Sequence, residues 1–178
     1  MRRFYTALAL LSYASLPVLA NWMIGNVGIP IPNGPHVIPV GFGLYAPSGV
    51  LCAGAALAMR DLVQELAGRR AAIGAILAGA LISYLVASPV IAIASAVAFL
   101  LSELLDFAVY TPLRDRGRVY WAVGASNVVG LLVDTLIFLG IAQLLTPGLF
   151  AGQVAGKVWM TLLALALLRV GRIAHDRP

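Results

Sequence analysis

Long apolar stretches, separated by charged segments or by clusters of proline and glycine, dominate the hydropathy pattern of the chain. Each stretch is close to the about 20 residues that a membrane-crossing helix needs. The pattern predicts six helices, over residues 4–24, 45–62, 71–87, 90–111, 119–145 and 150–168. We therefore expect an all-α integral membrane protein, a compact six-helix bundle that forms a single transmembrane transporter domain over residues 1–178.

The composition supports a membrane protein rather than a soluble one. Of the 178 residues, 61% are hydrophobic and only 11% are charged, whereas a soluble domain has about 25% charged residues. Cys52 is the single cysteine and has no partner for a disulfide, and a lone loop histidine such as His36 makes no metal site. The sequence therefore predicts no metal centre.

Basic residues lie almost entirely on one side of the predicted membrane. Eleven of the twelve Lys and Arg residues lie at the chain ends or follow the second and fourth helices, and the exception is Lys157. The positive-inside rule places these basic segments in the cytoplasm, together with both termini. The net charge of +5 is accordingly explained by membrane orientation, and we predict no nucleic-acid site.

The first apolar stretch has a second interpretation. Arg2 and Arg3 followed by an apolar run to Ala20 also have the form of a secretory signal. The run is long enough to span a bilayer, and counting it as the first helix keeps the charge pattern consistent. We therefore retain it as a helix.

The first outer segment, residues 25–43, carries four prolines among several glycines. A regular helix is excluded there, because proline removes a backbone donor and fixes φ. Two alternatives remain open for this uncharged segment. It either lies in the membrane interface as a lid over the outer mouth of the bundle, or packs as an extracellular loop.

Charged residues inside predicted spans are functional candidates, because an unpaired charge costs several kcal/mol in a bilayer. On the fourth helix Glu103 and Asp106 are about 60° apart around the axis, and Tyr110 returns to within about 20° of Glu103. These three residues form one polar face. Since we place no basic residue at the depth of Glu103, we expect it to be an unpaired carboxylate that binds substrate.

The fifth and sixth helices supply a second group. Asn127 and Asp134 share one face of the fifth helix, and Gly130 between them allows backbone or ligand to approach closely. Lys157 lies about 10 Å down the sixth helix, at a depth that allows contact with Asp134. The pair either clamps the two helices together or also binds substrate, and both interpretations remain open.

At the end of the second helix, Asp61, Gln64, Glu65 and Arg69 are expected to form a solvated helix end, with Glu65 and Arg69 in the favourable i,i+4 order. The chain has no nucleotide-binding loop, His-x-x-x-His pair or Gly-x-Ser-x-Gly elbow. An ATP-driven pump or an intramembrane hydrolase is therefore not supported, and we expect no enzyme activity, catalytic residue or cofactor. The pattern indicates a transporter or a channel-like protein.

Three segments carry a family resemblance: residues 60–70 (RDLVQELAGRR), 95–106 (SAVAFLLSELLD) and 126–135 (SNVVGLLVDT). Together with Lys157 they resemble the queuosine precursor transporter family, also called the vitamin uptake transporter family. The resemblance implies an inner-membrane carrier that imports 7-cyano-7-deazaguanine or its aminomethyl relative for nucleic-acid modification.

A guanine-like edge would fit the predicted site. Carboxylates accept its N–H and amino groups, while its carbonyl oxygen needs a donor. The candidate substrate-binding residues are Glu103, Asp106, Asn127, Asp134, Lys157, Tyr110 and Phe99, and Trp121 and Phe138 are further candidates for stacking on the base. Two alternatives to a secondary carrier are a substrate-binding subunit that needs an ATP-driven energising module, and a membrane scaffold; the oligomeric state is left open.

The charge pattern yields a topology prediction. We expect a cysteine introduced at Asn33 to react with an impermeant thiol reagent in intact cells, because its segment carries no basic residue. A cysteine at Gly117, within the Arg114–Arg118 segment, should react only after permeabilisation. Equal access of the reagent to both positions would contradict the topology.

Overall fold

A computed structural model describes residues 2–32, 34–86 and 89–175 of the chain. Six helices appear in the predicted order and confirm the helical bundle, and a small sheet is inserted between the first two. The helices are α1 (Arg2–Asn26), α2 (Val50–Ala67), α3 (Arg69–Val86), α4 (Pro89–Asp115), α5 (Val119–Ile141) and α6 (Pro147–His175). The strands are β1 (Ile29–Pro30), β2 (His36–Gly41) and β3 (Leu44–Pro47).

Helix bounds differ from the predicted ones where local backbone chemistry overrides hydropathy. Helix α2 begins at Val50 rather than at residue 45, because the apolar residues before it pair as strand β3. Helix α5 ends at Ile141, before Gln143 takes a left-handed φ of 57° that a helix cannot contain. Two predicted positions, Asn33 and the helix end at Ala87, lie outside the described residues.

Four of the described helices are long and apolar enough to cross a membrane: α1, α4, α5 and α6. Large apolar side chains also cover the outside of the bundle, such as Leu11 with 71% and Leu85 with 69% of its surface exposed. Apolar surface of this kind is stable against lipid and costly against water. The chain is therefore a multi-pass membrane protein, and crossing by α2 and α3 stays a prediction.

Helices α4 and α5 make the most extensive helix contact in the bundle. Gly130 of α5 explains part of the close approach, since a Cβ built there would lie 2.7 Å from a Leu57 methyl group and 3.0 Å from an Asp106 carboxylate oxygen. Small residues at such points allow membrane helices to pack closely. The gap at Gly130 is thus filled by Leu57 and Asp106.

The segment between α1 and α2 forms a three-stranded antiparallel sheet in the order β1-β2-β3. Neither alternative for this segment included strands. Strand β2 pairs with β3 from Val37 opposite Pro47, and the register shifts between Pro39 and Gly41. Proline is tolerated at such an irregularity because it has no N–H to donate to a ladder. Runs of proline and glycine therefore excluded a helix here without excluding short strands.

Side chains and backbone from the helices anchor the sheet. Trp159 Nε1 of α6 donates to Val40 O at 2.9 Å, and His36 Nδ1 lies 3.2 Å from Ile24 O at the end of α1. Helix α6 approaches β3 most closely at Gly152, where a built Cβ would lie 1.9 Å from Tyr45 O. The sheet therefore packs directly on the ends of α1 and α6.

The contact at Gly152 predicts a sharp difference between two glycines of one helix. Replacing Gly152 by alanine drives a methyl group into the backbone of β3, and such overpacking costs about 1–3 kcal/mol. Gly148→Ala is the matched control, because a Cβ there meets no atom within 4 Å. We expect the thermal midpoint of the detergent-solubilised protein to fall for Gly152→Ala and to change little for Gly148→Ala. Equal midpoints for the two variants would contradict the packing.

Candidate functional site

A cavity of about 500 Å³, which includes its open mouth, lies inside the bundle next to the sheet. Pro47 and Gly49, which join β3 to α2, line it on one side. All six helices contribute to its wall. The polar lining residues are Asn21, Ser83, Ser95, Asp134 and Gln153, and the aromatic ones are Phe99 and Phe138.

Three polar side chains of the wall bind one another. Asn21 of α1 donates to the hydroxyl and the carbonyl oxygen of Ser83, at 3.2 and 3.3 Å. Ser95 of α4 donates to the amide oxygen of Asn21 at 3.1 Å. This network connects α1, α3 and α4. It places neutral donors and acceptors on the side of the cavity contributed by those helices.

Asp134 and Lys157 form the predicted ion pair across α5 and α6. Lys157 Nζ lies 2.5 Å from Asp134 Oδ2 and 2.8 Å from the Thr135 hydroxyl. The lysine side chain is fully buried, whereas 14% of the Asp134 side chain is exposed, and Asp134 lines the cavity. The pair holds the carboxylate at one oxygen while part of the side chain remains accessible from the cavity.

The aromatic candidates separate into different environments. Phe99 and Phe138 line the cavity, and Phe99 also packs on Tyr13 with ring centroids 5.9 Å apart. Trp121 is 74% exposed on the outside of the bundle, so the expectation that it lies near the other candidates is wrong. Tyr110 is buried but does not line the cavity.

A buried charge cluster around Arg60 forms a second polar group. Arg60 Nη1 lies 2.8 Å from Asp61 Oδ1, and its Nε lies 3.5 Å from Glu103 Oε2. Its Nη2 contacts Asp106 Oδ1. Arg60, Glu103 and Asp106 have almost no exposed surface. Below the guanidinium lie two aromatic rings, with the Tyr110 centroid 5.1 Å and the Phe107 centroid 5.9 Å from its carbon.

Two predictions are therefore wrong, one about the charge partner of Glu103 and one about the end of the second helix. Glu103 has a basic partner, because Arg60 reaches it from α2 instead of pointing to the cytoplasm. Asp61 and Gln64 are buried rather than solvated. Seven further residues of α2 follow Arg60, which places it about 10 Å inside the helix end. That depth was the signal in the sequence that Arg60 is not a terminal charge.

The i,i+4 pairing of Glu65 with Arg69 is also wrong. Glu65 accepts hydrogen bonds from Arg114 of α4, with Arg114 Nη2 at 2.6 Å, and from the Tyr110 hydroxyl at 2.9 Å. Arg69 contacts Asp115, at the end of α4. Both ion pairs, Glu65 with Arg114 and Arg69 with Asp115, therefore connect two different helices instead of lying along one helix.

Asn127 of α5 lies away from the cavity and is fully buried. Its amide nitrogen donates to Val123 O at 2.8 Å, one turn earlier in α5. Its amide oxygen has no hydrogen-bond partner among the described residues, and neither does the neighbouring Ser126 hydroxyl. Of the seven candidate substrate-binding residues, the structure places only Phe99 and Asp134 on the cavity wall, with Lys157 directly behind Asp134.

Sequence reasoning missed the uncharged polar residues of the cavity: Asn21, Ser83, Ser95 and Gln153. Each interrupts an apolar helix with an amide or a hydroxyl group, and this was the available signal. A single neutral polar residue is common in membrane helices, where it also serves helix packing. Only the tertiary structure shows that these four residues lie on the wall of one cavity.

A protein-family model described as "Putative vitamin uptake transporter" matches residues 83–171, which is half of the 178-residue chain. The matched segment contains Ser83, Ser95, Asp134 and Gln153 of the cavity wall. No curated protein and no solved structure matches the chain. Among the described residues, no group of three or more His, Cys, Asp or Glu side chains is arranged to hold a metal ion.

The burial of Arg60 predicts a strong effect on stability. Arg60→Gln leaves three buried carboxylates without their cation, and removing one partner of a buried pair costs about 3–5 kcal/mol. Arg69→Gln is the matched control, since its side chain is 54% exposed beside Asp115 and exposed pairs contribute about 1 kcal/mol or less. We expect the thermal midpoint of the purified protein to fall for Arg60→Gln only. Similar midpoints for both variants would show that Arg60 is solvated.

Proposed function

This chain belongs to the family of vitamin uptake transporters, and from that premise we propose that it imports 7-deazaguanine precursors of queuosine. The proposed substrates are 7-cyano-7-deazaguanine and its aminomethyl relative. Asp134 carries the proposal: it is a carboxylate held at one oxygen by Lys157 and exposed to a cavity with aromatic lining residues. The resemblance of residues 60–70, 95–106 and 126–135 to queuosine precursor transporters supports the choice of substrate.

The free part of the Asp134 carboxylate accepts the adjacent N–H and amino groups of the guanine-like edge. A carboxylate suits this edge because it only accepts hydrogen bonds, and charge-assisted bonds are the stronger ones. Lys157 orients Asp134 through the contact of its Nζ with Asp134 Oδ2. The carbonyl oxygen of the base takes its hydrogen bond from the amide N–H of Gln153, which lies on the same cavity wall.

Phe99 and Phe138 supply apolar surface for the flat ring system. Aromatic rings favour offset stacking or edge-to-face contact with such a ligand. Glu103, Asp106, Asn127 and Tyr110 do not line the cavity, and we assign none of them a contact with the base. Recognition in this proposal therefore combines one carboxylate, neutral amides and two phenyl rings.

We further propose that all six helices cross the bacterial inner membrane, with both termini in the cytoplasm. Helices α2 and α3 have 18 residues each, which gives a length of about 27 Å and suffices for a thin or locally compressed bilayer. Removing the buried Arg60 from the eleven basic residues of the cytoplasmic side leaves ten. All ten lie in the basic segments at the chain ends or after the second and fourth helices of the sequence, in agreement with the positive-inside rule.

Uptake of labelled 7-cyano-7-deazaguanine by cells that express this chain alone tests the proposal. We expect uptake by the natural sequence and a loss of about tenfold to a hundredfold for Asp134→Asn, because a hydrogen bond to a charged group contributes about 1.5–3 kcal/mol. Lys157→Met should also reduce uptake, since Asp134 then loses its partner. The double variant should recover membrane abundance, because neither charge remains unpaired, but not uptake.

Asp115→Asn is the control for loss of a carboxylate, since Asp115 is exposed at the end of α4 far along the helix from the cavity. Its uptake should equal that of the natural sequence. Restored uptake in the double variant would show that Asp134 and Lys157 only clamp α5 to α6. Absence of uptake by the natural chain, when it is present in the membrane, would refute the proposed substrate.

A further inference from the structure

The cluster around Arg60 carries more negative than positive groups. One guanidinium faces three carboxylates, those of Asp61, Glu103 and Asp106, and all four side chains are buried. If all three carboxylates were ionised, two negative charges would remain uncompensated. An uncompensated charge costs several kcal/mol inside a membrane protein. Each proton or monovalent cation that the cluster takes up removes one of these two charges.

Charged and titratable groups around Glu103 come from several helices. Tyr13 faces it from α1, Arg60 and Asp61 from α2, and Asp134 from α5. The adjoining surface of α3 contributes apolar residues such as Ile76. The cation nearest to Asp134 is Lys157, which Asp134 already pairs. A proton on one of the carboxylates lowers the excess negative charge without requiring a set of metal ligands.

Glu103 is the carboxylate best placed to hold this proton. Its contact with Arg60 is the longest of the three, at 3.5 Å, compared with 2.8 Å for Asp61. Apart from their contacts with Arg60, the oxygens of all three carboxylates lack a hydrogen-bond partner among the described residues, so the longer Arg60 contact is what distinguishes Glu103. The fully buried Tyr13 hydroxyl lies within electrostatic range of Glu103.

The position of Glu103 connects the cluster to the cavity. Phe99, one turn earlier on α4, lines the cavity and packs on Tyr13. Asp134 also lines the cavity and lies within electrostatic range of Glu103. A ligand that engages Asp134 therefore changes the electrostatic environment of Glu103. Conversely, the proton on Glu103 changes the environment of Asp134.

We propose that Glu103 is a proton-binding residue through which inward movement of one proton drives substrate uptake. The proposal rests on the proposed function for its substrate. The proton enters from the outer side, neutralises Glu103 beside Arg60, and leaves to the cytoplasm after the substrate is released. No covalent bond to the substrate forms or breaks. Arg60, Asp61 and Asp106 remain the fixed part of the cluster.

A measurement without substrate tests proton binding directly. Infrared difference spectra of the purified protein at neutral pH, natural sequence minus Glu103→Gln, should contain the C=O stretch of a protonated carboxylic acid. The band should also disappear from the natural protein when the pH is raised. Absence of the band at neutral pH would overturn the proposal, whatever the substrate is. The pH titration of the natural protein keeps the test valid if Glu103→Gln fails to assemble.

Transport in proteoliposomes tests coupling. With labelled 7-cyano-7-deazaguanine, the natural protein should accumulate substrate when the outside is made acidic, by about tenfold per pH unit for one proton per neutral substrate. Glu103→Gln, which resembles the protonated state, should lose this accumulation but keep exchange of labelled for unlabelled substrate. Asp115→Asn, an exposed carboxylate, is the control and should behave as the natural sequence does.

The outcomes separate the two proposals. Exchange without a response to the pH gradient, or accumulation driven only by a sodium gradient, would overturn proton coupling and leave the proposed substrate intact. Accumulation by Glu103→Gln equal to that of the natural protein would also overturn the role of Glu103. Failure of the natural protein to bind or exchange the deazaguanine would refute the substrate, while the infrared band would still decide whether Glu103 holds a proton.

Discussion

Neutralisation of charge inside the bilayer is the constraint on which the rest of this structure depends. Ionised side chains lose their hydration there and persist only when partners surround them. Arg60 meets this requirement with carboxylates from its own helix and from α4, and Lys157 meets it with Asp134 of α5. These contacts fix which helices are neighbours and at what relative depth. Around them, ordinary apolar packing completes the bundle.

Close helix approach and the cavity both follow from this arrangement. Asp106 reaches Arg60 while lying against Gly130, where no side chain intervenes between α4 and α5. Next to the sheet, Asn21, Ser95 and Asp134 bind partners on neighbouring helices and also line the cavity. The same polar helices thus form a tightly packed charge cluster at one level and an open cavity at another. Proximity of the two levels provides a physical basis for coupling between them.

The family match supports transport as the function and includes the part of the cavity wall from Ser83 to Gln153. The rest of the wall comes from residues before this segment. Asn21 of α1 joins the polar wall, and Arg60 of α2 contacts the carboxylates of α4. The first two helices therefore contribute chemistry as well as hydrophobic surface.

Hydropathy and charge placement alone determined the six helices and the membrane class, and indicated that Asp134 and Lys157 lie at compatible depths, because length, apolar content and depth are readable along one chain. Only the tertiary structure decided the rest. We expected Arg60 to face the cytoplasm, but it lies at the centre of a buried cluster. A helical sequence pattern does not specify which neighbouring helix its polar face contacts. Strands β2 and β3 formed because cross-chain pairing satisfied a backbone that could not be helical. All six helices contribute to the cavity wall, so its shape cannot be predicted from the sequence of any single helix.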